Sequence, residues 1–280
     1  MRATRHETET AAWEVARRSP LPALRPYVLS SIARWAHLRG GGTRLREVPF
    51  PGVPLILNLG PGWNVESGGA PGSNRSYDSF LAGLHTMPSL VEGSDTWACI
   101  ELRLTPLGAH RLLGLPMDEL TNRTLDLEEL LPRAGDLTGR LREATSWCER
   151  FDLVESFLVR RMADSAPASP AIEWSWGRLR RSHGRASIAA LAEELGWSHR
   201  RLIARFREHI GLPPKALARV IRFARAVELL GGSPGSALAA IAYDCGYFDQ
   251  AHMNRDFREL AGTTPATLVA RRTDGGGVAA

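Results

Sequence analysis

Cysteine is scarce in this chain. There are three, Cys99, Cys148 and Cys245, scattered and odd in number. That excludes a disulfide framework and any CxxC metal knuckle, and it fits a reducing cytoplasm. Lysine is almost missing: Lys215 is the only one, against 34 arginines. No window approaches the ~18 uninterrupted apolar residues of a membrane span. The opening MRATRHETET lacks the charged-then-apolar layout of an export signal. The glycine runs at 40–42, 231–235 and 275–277 lack the Gly-Lys-Ser/Thr of a phosphate-cradling loop. What remains is ordinary: 44% hydrophobic and 23% charged residues, as in a soluble globular protein. A length of 280 residues suggests about two domains.

Charge is unevenly spread. Residues 1–170 carry 19 arginines against 20 acidic residues, a net of −1. Residues 171–280 carry 16 basic against 10 acidic residues, a net of +6. A domain with that excess is a candidate for an anionic partner, nucleic acid first.

The segment Ala163 to Pro170 is small, polar and proline-containing, and reads as a linker. Thr273 to Ala280 reads as a frayed, flexible tail. Residues 1–162 look like a small β-sheet packed by helices, an α+β domain. The spacing predicts strands within Pro49–Leu59 and over Trp97–Leu104, where Cys99, Glu101 and Arg103 share one face and Ile100, Leu102 and Leu104 the other. Gly60–Ser73 reads as a loop. Helices are expected after Pro106 and over Leu125–Leu131, Asp136–Cys148 and Phe151–Met162. Residues 171–272 read as all helical. Ile172, Trp176 and Leu179 share a face of a helix that Gly184 can end. Ser187 suits an N-cap and Pro214 a first helical turn. Leu217, Val220, Ile221, Ala224, Val227 and Leu230 form a stripe on a long helix.

An internal repeat carries most information. Ile188, Leu191, Ala192, Leu195 and Gly196 recur as Leu238, Ile241, Ala242, Cys245 and Gly246, each displaced by 50. After one inserted residue, Leu202, Phe206, Gly211 and Pro214 recur as Met253, Phe257, Gly262 and Pro265, displaced by 51. Each copy is a short apolar-faced helix, then Ala-x-x-x-Gly, then a second helix: a helix-turn-helix signature. The second helix of such a unit can enter a major groove. With Leu202 and Phe206 inward, Arg200, Arg201, Ile203, Ala204 and Arg207 point sideways or outward. In the second copy Gln250, Ala251, His252, Asn254, Arg255 and Arg258 do so. Arginine pairs with guanine, and glutamine or asparagine with adenine.

Residues 172–270 resemble the C-terminal DNA-binding domain of the AraC/XylS family of bacterial transcription regulators. The resemblance rests on the two units, the linking helix and the run Gly246-Tyr-Phe-Asp-Gln-Ala-His-Met-Asn-Arg-Asp-Phe-Arg-Glu-Leu-Ala-Gly-Thr-Thr-Pro265. It implies that both recognition helices insert into successive major-groove segments, with Arg200, Ile203, Ala204, Gln250, Ala251, Asn254 and Arg255 as base-reading candidates. In this chain Ile203 and Ala204 stand where polar readers often occur, which shifts weight to Arg200 and Arg201. Residues 20–162 are similar to one subgroup of that family through Leu24–Tyr27, Pro49–Gly52 with Leu55–Leu59, Phe80–Gly83, and Leu113–Pro116 with Glu119-Leu120. In the wider family such a domain senses a small molecule or mediates dimerisation.

Other constellations lead nowhere firm. His85 and Cys99, with or without His110, have no spacing that fixes a nucleophile pair or a zinc site. An alkyl-transferring repair protein of Ada type would need clustered cysteines, and Cys99 and Cys148 are 49 apart. The expectation is therefore a two-domain cytoplasmic DNA-binding transcription regulator, an activator, with no enzymatic chemistry, cofactor or metal. Its parts are an α+β sensing or dimerising domain (1–162), a linker (163–170), an all-α domain with two helix-turn-helix units joined by a long helix (171–272), and a tail (273–280). Its expected partners are double-stranded DNA, a small-molecule effector, RNA polymerase and a second copy of the chain. A closed cavity with convergent polar groups would favour sensing, and a flat apolar patch dimerisation.

Overall fold

In the computed structural model, residues 1–67, 74–232, 237–271 and 278–279 are described. The first part of the chain is richer in strands than its sequence suggests. β1 (Arg2–Glu7), β2 (Ala11–Arg18), β3 (Val28–Leu38), β4 (Thr43–Glu47), β5 (Val53–Asn58), β6 (Trp63–Glu66), β7 (Asn74–Tyr77), β8 (Phe80–Ala82), β9 (Ser89–Gly93) and β10 (Thr96–Leu104) precede the first α-helix. Then come α1 (Pro106–Leu113), β11 (Thr124–Asp126), α2 (Leu127–Leu130), α3 (Ala134–Glu143) and α4 (Trp147–Ala163). The two predicted strands are present as β5 and β10. Three expectations change. Gly60–Ser73 contains β6, because Trp63 and Val65 alternate inward. Leu125–Leu131 is split between β11 and the short α2. Asp136–Cys148 is not one helix: α3 ends at Glu143, and Ser146 starts α4 by accepting from the Glu149 amide.

The strands form two antiparallel sheets. One runs β1-β2-β3-β10-β5-β8-β11; the other, with β12 (Val278–Ala279) at its edge, runs β12-β4-β9-β6-β7. In the seven-stranded sheet Cys99 lies opposite Arg34 and Asn58, and Glu101 opposite Ile32 and Ile56. Ile100, Leu102 and Leu104 turn to the helices, burying against Leu112 of α1 and Phe151 and Leu158 of α4. The opposite face of β10 looks toward the five-stranded sheet. There Trp97 Nε1 donates to Thr43 Oγ1 at 2.7 Å. The Phe80–Gly83 run has a steric reason: a Cβ on Gly83 would sit 1.9 Å from the Leu120 carbonyl oxygen, so only glycine lets β8 close on the 3-10 turn Met117–Leu120.

Beyond Ala163 the described chain is helical up to Ala270: α5 (Pro170–Arg181), α6 (Ile188–Glu194), α7 (His199–Ile210), α8 (Pro214–Gly232), α9 (Leu238–Asp244), α10 (Gln250–Ala261) and α11 (Pro265–Ala270). Ser187 caps α6 by accepting from the Ala190 amide, and Pro214 opens α8, as their sequence positions require. The α8 stripe is wider than predicted. Phe223 and Ala226 are buried beside Leu217, Val220, Ile221 and Leu230, because α8 serves a different unit on each of two faces. Where a frayed tail is expected, Val278–Ala279 pair with Arg46 and Leu45 of β4.

The hydrophobic core does not divide at 163–170. One cluster runs from Leu55, Leu81 and Ile100 through Phe151, Ala168 and Ile172 to Leu202, Phe206 and Ile221. A second holds Phe223, Ile241, Cys245, Met253, Phe257 and Leu268. The seam lies inside α8. No helix of the described residues is long and apolar enough to cross a membrane.

Candidate nucleic-acid interface and the N-terminal cavity

The repeat seen in the sequence is a repeat in space. In the first unit, α6 and α7 are joined by a turn in which the Trp197 amide donates to the Ala192 carbonyl at 2.9 Å. In the second, α9 and α10 are joined by the same bond, Tyr247 amide to Ala242 carbonyl, also 2.9 Å. Gly196 and Gly246 both adopt positive φ, 63° and 78°, which a β-carbon resists. Ser198 caps α7 by accepting from the Arg201 amide, and Asp249 caps α10 by accepting from the His252 amide. Since Trp197 matches Tyr247 and Ser198 matches Asp249, the inserted residue of the second copy is Phe248. It is 93% exposed.

The candidate reading faces follow from what each helix buries. On α7, Leu202, Phe206, His209 and Ile210 face the core, leaving Arg200, Arg201, Ile203, Ala204 and Arg207 exposed. The Arg201 guanidinium lies 4.6 Å from the Trp197 ring, a cation–π contact that aligns it along the turn. On α10, Met253, Asp256, Phe257 and Leu260 are buried, while Gln250, Ala251, Arg255 and Arg258 are exposed. Two candidates turn partly inward. The His252 ring meets Tyr247 edge-on at 5.2 Å, and its Nδ1 accepts from the Phe248 amide at 3.5 Å. Asn254 is half-buried, with its Oδ1 enclosed and unpartnered among the described residues. Arg205, Arg219 and Arg225 are spent on Glu208, on Asp256 with Glu259, and on Glu228. Among the described residues Arg200, Arg207 and Arg255 form no ion pair, so their charge stays available to an anion.

Sequence reasoning missed two exposed aromatics beside the second turn, Phe248 and Tyr243, the latter 81% exposed. A signal was there: Tyr243 replaces Glu193 of the first copy at the same offset of 50.

The N-terminal domain grips both units near the end of the second helix of each. Thr121 Oγ1 donates to the Gly211 carbonyl at 2.7 Å, just past α7. Arg46 Nη1 donates to the Ala261 carbonyl at 3.3 Å, at the end of α10. Positions 210–211 and 261–262 correspond in the repeat. His110 of α1 and His209 of α7 also meet, with ring centroids 4.6 Å apart. Burial lowers the pKa of both rings, and the facing His110 lowers that of His209 further.

Between the two sheets lies a cavity of about 700 Å³. Its walls include Trp13, Trp63, Trp97, Phe50 and Phe80, with Glu47, His85, Cys99, Glu101, Arg34 and Arg103 among them. These side chains alternate inward on β4 and β10, and sequence periodicity could not show that both faces of β10 are covered. Glu101 is held between Arg34 and Arg103, the latter at 2.5 Å. Burial would raise its carboxyl, but the two guanidinium groups outweigh that and hold it below the usual range. His85 and Cys99 share this cavity, yet they are not poised for nucleophilic chemistry. Burial pushes the Cys99 thiol up to about 12 and lowers the His85 imidazole. His110, on the other side of the sheet's helices, packs against His209 instead.

Residues 191–271 match the family described as Helix-turn-helix domain. Residues 16–126 match one described as Domain of unknown function (DUF6597). No curated protein matches. Among solved structures, the chain is similar to ToxT from Vibrio cholerae: 12% identity, 94% of this chain and 98% of that one, TM-score 0.49. The C-terminal domain of AraT, a response regulator from Geobacillus stearothermophilus, is 23% identical over 39% of this chain and 90% of its own, TM-score 0.36. A probable AraC family transcriptional regulator from Rhodopseudomonas palustris is 28% identical over 37% of this chain and 97% of its own, TM-score 0.33. Two like helix-turn-helix units, capped and turned by the same bonds and joined by one long helix, define a DNA-binding transcription regulator. Residues 191–271 thus form an AraC-type helix-turn-helix domain, and a β-rich N-terminal domain precedes it.

Proposed function

We propose that the protein is a sequence-specific regulator whose DNA grip is set by a small molecule in the N-terminal cavity. α7 and α10 would read successive major-groove segments, with Arg200 and Arg255 at base edges and Arg207 on phosphate. Gln250 is exposed for adenine; Ala204 and Ala251 allow close approach, and Ile203 offers only apolar contact. Arg201, stacked on Trp197, suits a phosphate. The partly inward His252 and Asn254 are weaker candidates.

The observation that carries the reading is the paired grip on α7 and α10 by Thr121 and Arg46. Whatever shifts β4 shifts a contact on a recognition helix. Glu47 faces the cavity and its neighbour Arg46 faces α10, so occupant and DNA unit touch consecutive residues of one strand. An effector moves the equilibrium only by binding the two states differently. Residues 1–162 would sense and 171–272 would bind DNA, joined by 163–170. At a promoter such a protein would meet RNA polymerase, and a second copy would double the site.

The test is a binding-site selection on Arg200→Ala and Arg255→Ala beside the unaltered protein. Each variant is expected to relax preference at a different segment, the two about 10 bp apart. Uniform loss over all sequences would mean that these arginines only hold phosphates.

A further inference from the structure

We propose that the cavity takes a lipophilic organic cation: an aromatic or otherwise flat apolar body carrying a protonated nitrogen, which Glu47 receives. This rests on reading the cavity as the effector site. It adds the chemical class of the occupant.

Charge placement makes the choice. The positive groups deep in the cavity are engaged: Arg34 and Arg103 both bind Glu101, and Arg103 also lies 4.9 Å from the Phe50 ring centre. Glu14 accepts from Trp147 Nε1 at 3.0 Å, and Arg17 is exposed to solvent. Glu47 is different. Its side chain lines the cavity, and it forms no hydrogen bond or ion pair among the described residues. Burial, and then Glu101 nearby, push its carboxyl above the ordinary range, and the guanidinium groups of Arg103 and Arg34, held by Glu101, offset this only in part. An anionic ligand would meet two carboxylates and two guanidinium groups already spoken for. A cation would meet one unspent carboxyl.

The walls agree. Trp63 and Trp97 meet edge to face at 5.2 Å, and Trp13 lies across the same space. Indole faces attract cations as well as apolar bodies. A second acceptor is also unspent. His85 Nδ1 lies 2.7 Å from the Gly83 carbonyl, which fixes its proton there and leaves Nε2 as a buried lone pair without a partner among the described residues. Against one unmet donor in the same chamber, Trp63 Nε1, these two unmet acceptors suit a ligand that mainly donates.

The test uses the full chain and three probes with one aromatic body: pyrenemethylamine, pyrenemethanol and pyrenecarboxylate. Binding is read from tryptophan quenching. The amine is expected to bind about tenfold or more tightly than the alcohol, and the carboxylate most weakly. Glu47→Gln is expected to bring the amine to the level of the alcohol. If the alcohol or the carboxylate binds as tightly as the amine, the cation proposal is wrong while the cavity remains a ligand site. The same holds if Glu47→Gln keeps the amine's advantage. If none of the three binds to chain with native circular dichroism, the effector-cavity reading itself fails. The ranking on the unaltered chain decides even if the variant does not fold.

Discussion

Arg255 and Phe257 lie two residues apart on α10 and illustrate opposite kinds of residue. Arg255 is exposed and makes no ion pair among the described residues; Phe257 is fully buried and meets Phe223 edge to face at 4.9 Å. Replacing Arg255 by alanine should cost roughly 1–3 kcal/mol on the preferred DNA site and leave folding untouched. Equilibrium binding beside a chemical melt checks both halves. Phe206→Ala and Phe257→Ala should instead cost about 3–5 kcal/mol of folding stability, since each empties a full side chain's space in a closed core. Denaturant midpoints measure that loss. If Phe257→Ala left stability unchanged, the second core cluster would be wrongly drawn.

At the scale of elements, the contact between α1 and α7 depends on two neutral imidazoles. Both His110 and His209 titrate below their ordinary value, chiefly through burial. Glu208 pulls both pKa values up and Arg205 pushes both down. An unfolded or undocked chain binds protons on these rings more readily than the docked one. The contact is therefore fully stable above about pH 6.5 and weakens as pH falls through that value toward the lower native pKa values. Melting temperatures from about pH 8 to about pH 5.5 should fall for the unaltered chain. His209→Phe, which keeps a ring against His110, should flatten that fall. An equal pH slope in the variant would place the acid sensitivity elsewhere.

The molecule as a whole is cut differently by charge and by packing. Its positive excess lies after residue 170. If ~5 phosphates are neutralised, the logarithm of the binding constant should fall against log salt with a slope of about −4 to −5. A slope near zero, from titrations at several salt concentrations, would refute nucleic acid as the anionic partner. Packing joins the first helix-turn-helix unit to the N-terminal domain and leaves the second with a core of its own. In a fragment of residues 171–272, amides of α6 and α7 should therefore exchange faster than in the full chain, while those of α9 and α10 keep their rates. Equal protection of both units in the fragment would show that the seam in α8 has no energetic meaning.

The sequence by itself determined the DNA-binding part. Helices, caps and turns are local: Ser187, Gly196, Pro214 and the nine repeated positions act on neighbours a few residues away, so their spacing is enough to place both units and the outward arginines. The N-terminal sheets were largely hidden because strand pairing is non-local. Nothing near Arg34 says that it will lie opposite Cys99, and nothing near Trp63 marks β6 inside a glycine-rich stretch. The cavity is a property of two sheets facing each other, so Glu47 acquires its meaning only when Glu101, Arg34 and strands of both sheets surround it. The grip of Thr121 on Gly211 and of Arg46 on Ala261 joins residues 90 and 215 positions apart. No periodicity reaches that far; packing of the N-terminal domain against both core clusters brings them together.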